Sequence, residues 1–235
     1  METKKIRDKF ILNADDFGRS PEANTNILSL AKSGKLDRVS VLITRTFSSE
    51  EAAELLQTGA KIDLHLDLPS GARIRGHGQK TSTLQGSFLF LLKYFLRQIT
   101  PIKIEREWTG QLQKFQKIFG KSPDGINSHQ HIHFFPAYFK IILRLAQEYK
   151  INFVRFGKSG LLDSDNSTYK ILCRLHKKNE RLFAASNLNS SDFMASLDWI
   201  RNFEKFTNNL PKGEIELVCH PERKEELELI QKYFQ

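Results

Sequence analysis

The stretch ILNADDFG, residues 11–18, opens as an apolar strand and ends in two adjacent carboxylates, Asp15 and Asp16. Burying such a pair without a partner is costly. Imidazoles recur further along the chain: His65 in KIDLHLDL, His129, His131 and His133 in SHQHIH, and His220 in VCHPE. A carboxylate and two neutral imidazoles make a facial ligand set that leaves open positions for water and substrate. Asp16, His65 and His129 lie on three different predicted strands, so the sheet rather than local spacing would bring them together. A divalent cation held there lowers the pKa of water, to ~7 for zinc, and a second carboxylate can take the proton released. Asp15 is the candidate for that second role. Each residue also has a plainer reading. One of the two aspartates could cap the helix that starts near Pro21, and His65 could be an ordinary strand residue. SHQHIH could be a solvated turn, and His220 could simply end a strand. If SHQHIH is extended, its three imidazoles fall on one face, because strand side chains alternate.

The elements that would position these groups alternate along the chain. KFILNA, RVSVLIT, KIDLHLDL, PDGINSH, INFVRFG, RLFAAS and EIELVCH read as seven strands. Helical patterns separate them, and local signals mark their ends. Ser20 stands before Pro21 at one helix start, and Ser48 and Glu51 have capping-box spacing at the next. Residues 87–119 read as helical with a break near Pro101, and 136–150, 167–180, DFMASLDWIRNFEKFTNN and 222–234 as further helices. Seven βα units in one series predict an α/β fold: a single domain over residues 1–235, a parallel (β/α) barrel. The candidate groups fall at strand ends, where such a barrel gathers its active site. Arg155, ending the fifth strand, is expected to hold Asp15 or the substrate, and His131 to touch substrate.

Composition narrows the class. The 235 residues are 40% hydrophobic and 27% charged, as in an ordinary globular protein. The formal charge of +9 comes from cations scattered through mixed-sign helices, with no basic run interleaved with aromatics, so no nucleic-acid partner is expected. Cys173 and Cys219 are far apart, which fits a reducing compartment rather than a disulfide framework. Residues 1–10 hold no apolar h-region and no 18-residue apolar run occurs, so a cytoplasmic location is expected without a membrane span. Residues 69–86 are a long polar loop, expected to shape substrate choice. The segment Ser87–Leu96, SFLFLLKYFL, is apolar on more than one helix face; it could pack on the barrel, on a second copy in a homodimer, or peripherally on a membrane.

LNADDFG, DLHLDL, SPDGINSHQHIHFFP and VCHPE, in that order, resemble the YdjC-like carbohydrate deacetylases, over about residues 10–222. The resemblance implies a distorted (β/α) barrel and a metal-dependent hydrolase that removes acetyl groups from N-acetylated sugars such as chitooligosaccharides, free or lipid-linked. It implies Asp16, His65 and His129 as ligands of one divalent ion, Mg2+ or Zn2+, with Asp15 as general base and His220 as acid or substrate contact. The chain departs from the family's pattern at Asp63, where glycine is common; on the same strand face as His65, Asp63 is expected to orient that imidazole. Two rivals stand beside the deacetylase: a metal-dependent glycosidase or phosphoesterase, and a silent sugar-binding protein on the same fold. A glycosidase needs two carboxylates flanking the glycosidic bond, which an adjacent pair does not suit.

Overall fold

A computed structural model describes residues 7–68, 100–162 and 167–234. The long polar loop and the apolar segment Ser87–Leu96 lie outside the described residues.

Each strand is short and buried on both sides, as parallel strands covered by helices must be. The seven are β1 (Phe10–Phe17), β2 (Arg38–Val41), β3 (Lys61–Leu66), β4 (Gly125–Ser128), β5 (Gly160–Leu161), β6 (Phe193–Ser196) and β7 (Ile215–Cys219). They form one all-parallel sheet in the order β4-β3-β2-β1-β7-β6-β5. The sheet curls toward closure. The stretch 152–155 lies between β4 and residue 189, through bridges Ile126–Val154 and Phe153–Asn189. Distorted (β/α) barrel describes the result, as the sequence predicts.

Seven helices are described: α1 (Pro21–Lys32), α2 (Ser49–Gln57), α3 (Pro101–Phe119), α4 (Pro136–Glu148), α5 (Ser167–Ala184), α6 (Phe203–Thr207) and α7 (Lys224–Tyr233). The start signals hold. Ser20 Oγ accepts from the Ala23 amide at 3.1 Å. Ser48 and Glu51 form a reciprocal capping box that satisfies two orphan amides of α2.

Three sequence-derived elements change. RLFAAS is not the sixth strand; α5 continues through Ala184, because Arg, Leu, Phe and Ala extend a helix at little cost. The sixth strand is instead FMAS, inside a stretch predicted helical, which continues as a 3-10 turn, Leu197–Trp199, and the short α6. Met194, Ala195 and Ser196 are all fully buried, and so short a buried run has no period that separates strand from helix. INFVRFG makes only single-residue bridges, while the two-residue β5 follows it.

Strand alternation divides the core in two. Leu12 and Ala14, Val39 and Val41, and Ile62, Leu64 and Leu66 belong to the apolar core. The alternate positions, Asn13, Asp15, Arg38, Ser40, Asp63 and His65, are equally buried but polar. Their side chains meet one another across the sheet, so the barrel interior is a hydrogen-bonded layer rather than stacked aliphatics. Gly125 belongs to this layer's design. A Cβ there would run into the Arg38 guanidinium and the Asp63 carboxylate, so only glycine leaves room for that pair.

Candidate metal centre

In a regular strand Asp15 and Asp16 would point to opposite faces. They do not, because β1 bulges: its register against β2 slips between Ala14 and Phe17, and Asp16 takes φ +71°. The bulge turns both carboxylates to the C-terminal end of the barrel. Aspartate tolerates this left-handed conformation better than most residues.

One ligand atom from each of Asp16, His65 and His129 lies within 4.8 Å of the others. His65 Nε2 is 3.4 Å and His129 Nδ1 3.0 Å from Asp16 Oδ1. That oxygen is buried and accepts no hydrogen bond. Asp16 Oδ2 is taken by Arg19, which also reaches Glu222 at 3.3 Å. An orphaned carboxylate oxygen facing two imidazoles is what a divalent cation would complete, so the residues present fit one. Mixed O and N donors of this kind suit zinc, and water would complete the set for magnesium.

Asp15 sits beside this set, its Oδ2 3.6 Å from His65 Nε2. Arg155 grips it with two parallel bonds, Nη1 to Oδ2 at 2.7 Å and Nη2 to Oδ1 at 2.8 Å. Burial pushes the Asp15 carboxyl up, but the Arg155 and His65 charges outweigh it and hold the group well below the usual carboxylate range. Of the two roles expected for Arg155, contact with substrate is corrected. Its side chain is fully buried, and its third nitrogen, Nε, is spent on Glu216 at 2.7 Å.

SHQHIH is also corrected. It is a 3-10 stretch, His129–Phe134, with Gln130 and His131 in the left-handed region, so the three imidazoles share no face. Only His129 joins the ligand set. His133 turns into the core, where one nitrogen contacts Ser128 Oγ at 2.6 Å and the other the Arg155 carbonyl at 2.9 Å. His131 stands edge-on to Trp199 at 5.5 Å, its Nδ1 buried without a partner. Burial, with Arg155 nearby, drives its pKa to about 3, so this imidazole is neutral.

His220 follows β7. Its amide donates to Glu226 at 2.7 Å, and its Nδ1 lies 3.5 Å from the same carboxylate. Burial alone would lower its pKa; Glu226 more than offsets this and raises it to about 9. Its charge also reaches Asp15 and Asp16. Asp63 does not orient His65, because its carboxylate is occupied by Arg38 and Asn13. The partner of His65 Nδ1 is Asn127 Oδ1, its neighbour in register on β4. Sequence reasoning missed Asn127, Glu216, Arg19 and Glu226. The first two had a signal, a polar residue at an interior-facing strand position; the other two have none at sequence level.

Fold and site together define a parallel (β/α) barrel carrying an Asp-His-His centre with an arginine-held carboxylate beside it. The chain belongs to the YdjC-like protein family, whose model matches residues 9–234. A carbohydrate deacetylase of Halalkalibacterium halodurans is 29% identical over 91% of this chain and 84% of its own length. A chitooligosaccharide deacetylase of Citrobacter koseri is 25% identical over 90% of this chain and 80% of its own. Among solved structures, an Enterococcus faecalis protein provisionally named for cellobiose-phosphate cleavage has TM-score 0.60 at 20% identity, covering 95% of this chain and 94% of its own. At that identity it speaks for the fold alone.

Proposed function

We propose that the chain is a metal-dependent carbohydrate deacetylase that hydrolyses the acetamide of an N-acetylated sugar to acetate and the free amine. The carrying observation is the convergence of Asp16, His65 and His129 next to Asp15. A divalent cation held by those three would polarise the acetamide carbonyl and lower the pKa of water there. Asp15 is held ionised by Arg155, so one of its oxygens can take the proton as water adds to the carbonyl carbon. His220 is held as the cation by Glu226, so it can donate a proton to the nitrogen as the C–N bond breaks. The two groups are thus poised in opposite protonation states at neutral pH, one acceptor and one donor. Neutral His131 beside Trp199 is suited to hydrogen-bond the sugar or its acetyl group while the indole shields the site from water. Names of the two deacetylase relatives support this substrate class. The test is metal analysis of the purified protein together with acetate release from N,N′-diacetylchitobiose, with Zn2+ or Mg2+ added. Bound metal with acetate release is expected. A protein that binds neither ion and releases no acetate from chitooligosaccharides of any length would overturn the reading.

A further inference from the structure

The polar layer inside the barrel is a chain of hydrogen bonds, and each link has only one possible sense. It begins at two carboxylate oxygens. Asp63 Oδ2 accepts from Arg38 Nε at 2.7 Å, and Glu216 Oε1 accepts from Arg155 Nε at 2.7 Å. Between them sits the Asn13 amide, 3.2 Å from Asp63 Oδ2 and 2.9 Å from Glu216 Oε1. Facing two acceptors, this end of Asn13 must be the NH2 group. Its carbonyl Oδ1 therefore faces Ser40 Oγ, 2.9 Å away, and the hydroxyl must donate to it. With its only proton spent, Ser40 Oγ can only accept from its remaining neighbours. Those are Asn127 Nδ2 at 2.9 Å and, more weakly, Arg155 Nη2 at 3.4 Å. The Asn127 NH2 is thus fixed toward Ser40, and its carbonyl oxygen is fixed against His65 Nδ1. Facing an acceptor, His65 Nδ1 must carry the proton. That leaves the Nε2 lone pair directed at the space beside Asp16 Oδ1.

From this we infer that Asn13, Ser40 and Asn127 form a one-way hydrogen-bond wire that sets the tautomer of His65 and so prepares it as a metal ligand. None of the three belongs to the ligand set, and all are buried. They are positioning residues whose orientation is dictated by Asp63 and Glu216 at the far end. Glu216 also anchors Arg155, which holds Asp15, so one buried carboxylate orients both a ligand and the proposed base. Without the wire the Asn127 amide is free to flip. Its NH2 would then face His65 Nδ1, the proton would move to Nε2, and the ligand atom would be blocked.

This inference rests on the metal reading, and the test separates the two. Zn2+ affinity is measured by chelator competition on the full chain, with circular dichroism as the check on folding. Asn127→Leu removes the acceptor; Ser40→Ala cuts the wire without touching His65; Asn127→Asp restores an acceptor-only group. Losses of ligand-orienting partners typically cost ~10–100-fold in metal affinity. We expect that loss in Asn127→Leu and Ser40→Ala, and affinity within about threefold of wild type in Asn127→Asp. In the 15N spectrum of the Zn2+-loaded wild type, His65 should show an exchange-protected Nδ1–H that Asn127→Leu loses. Should Asn127→Leu fail to fold, Ser40→Ala and the wild-type spectrum carry the test. Wild-type affinity in folded Ser40→Ala, or a His65 that carries its proton on Nε2, would overturn the wire alone. A wild type that binds no divalent ion would overturn the wire and the deacetylase reading together.

Discussion

Glu226→Gln isolates the charge that holds His220 protonated. The amide keeps an oxygen for the His220 backbone N–H, now bonded at 2.7 Å, so the turn after β7 retains its local bond. What disappears is the carboxylate 3.5 Å from Nδ1. The His220 pKa stands at about 9 against an ordinary 6.5, with burial opposing the rise. At 1.36 kcal/mol per pH unit, that difference corresponds to about 3 kcal/mol favouring the protonated form. With the carboxylate gone, burial acts alone and carries the pKa below 6.5. The basic limb of the kcat/KM profile, which reports the essential acid of the free enzyme, should therefore move down by two pH units or more. At pH 8 activity should fall by ~10–100-fold, the fraction of imidazolium lost per one to two pH units, while at pH 6 the variant should approach wild type. Stability follows the same sign. A group whose folded pKa is raised stabilises below its unfolded value and loses that contribution as pH rises through the folded one. The stability gap between wild type and variant should thus be full near pH 6 and closed above about pH 9. An unmoved basic limb would refute His220 as the proton donor. A uniform loss at all pH values would show that Glu226 acts only as the tie from α7 to β7.

Asp15→Asn should lower kcat by ~10²–10⁴, the range for a lost general base, with bound metal retained; loss of metal in step with turnover would make Asp15 a ligand instead. Asp16→Ala, His65→Ala and His129→Ala should each abolish stoichiometric metal binding, measured by elemental analysis of folded protein. Arg155→Met leaves Asp15 buried without its cation. Removing one partner of a buried pair costs about 3–5 kcal/mol, and the freed carboxyl titrates higher, so denaturant melts should show the loss and the acid limb of activity should rise. His133→Ala should destabilise by about 2–4 kcal/mol through two lost buried bonds and a cavity, with metal affinity unchanged.

The site was legible in the sequence wherever chemistry alone marks a residue. Asp15, Asp16, His65, His129 and His220 are polar breaks at strand ends, and a parallel barrel gathers strand ends on one face. Asn127 and Glu216 were less legible because their role depends on which strand lies beside which. The His65–Asn127 pairing follows from β3 lying next to β4, and Arg155–Glu216 joins the bridging stretch after β4 to β7, far apart in sequence. SHQHIH was misjudged because period-2 spacing is also what a tight turn gives by accident, and the left-handed pair at Gln130 and His131 has no glycine to announce it. FMAS was misjudged because four buried residues are too few to show a period.

Three of the five non-glycine residues with positive φ, among those described, belong to this site: Asp16, Gln130 and His131. Each such conformation costs of order 1 kcal/mol or more, and a fold keeps it only where surrounding contacts over-determine it. Those contacts are visible. Asp16 is gripped by Arg19 on one oxygen, and its carbonyl accepts from the Arg19 amide at 3.0 Å. The turn at 130–131 is pinned on both sides, by Asn127 and Ser128 before it and by His133 after it. The strain serves one end. A strand alternates its side chains and a straight run cannot aim two neighbours at one point, so the bulge brings Asp15 and Asp16 together. The left-handed turn does the reverse, sending His129, His131 and His133 to three different tasks: ligand, wall of the pocket and core. Relaxing either segment to regular geometry would leave the sheet intact and disperse the ligands. The rigidity of the buried polar layer is therefore what the site depends on, because it alone holds the strained residues where the ligand atoms converge.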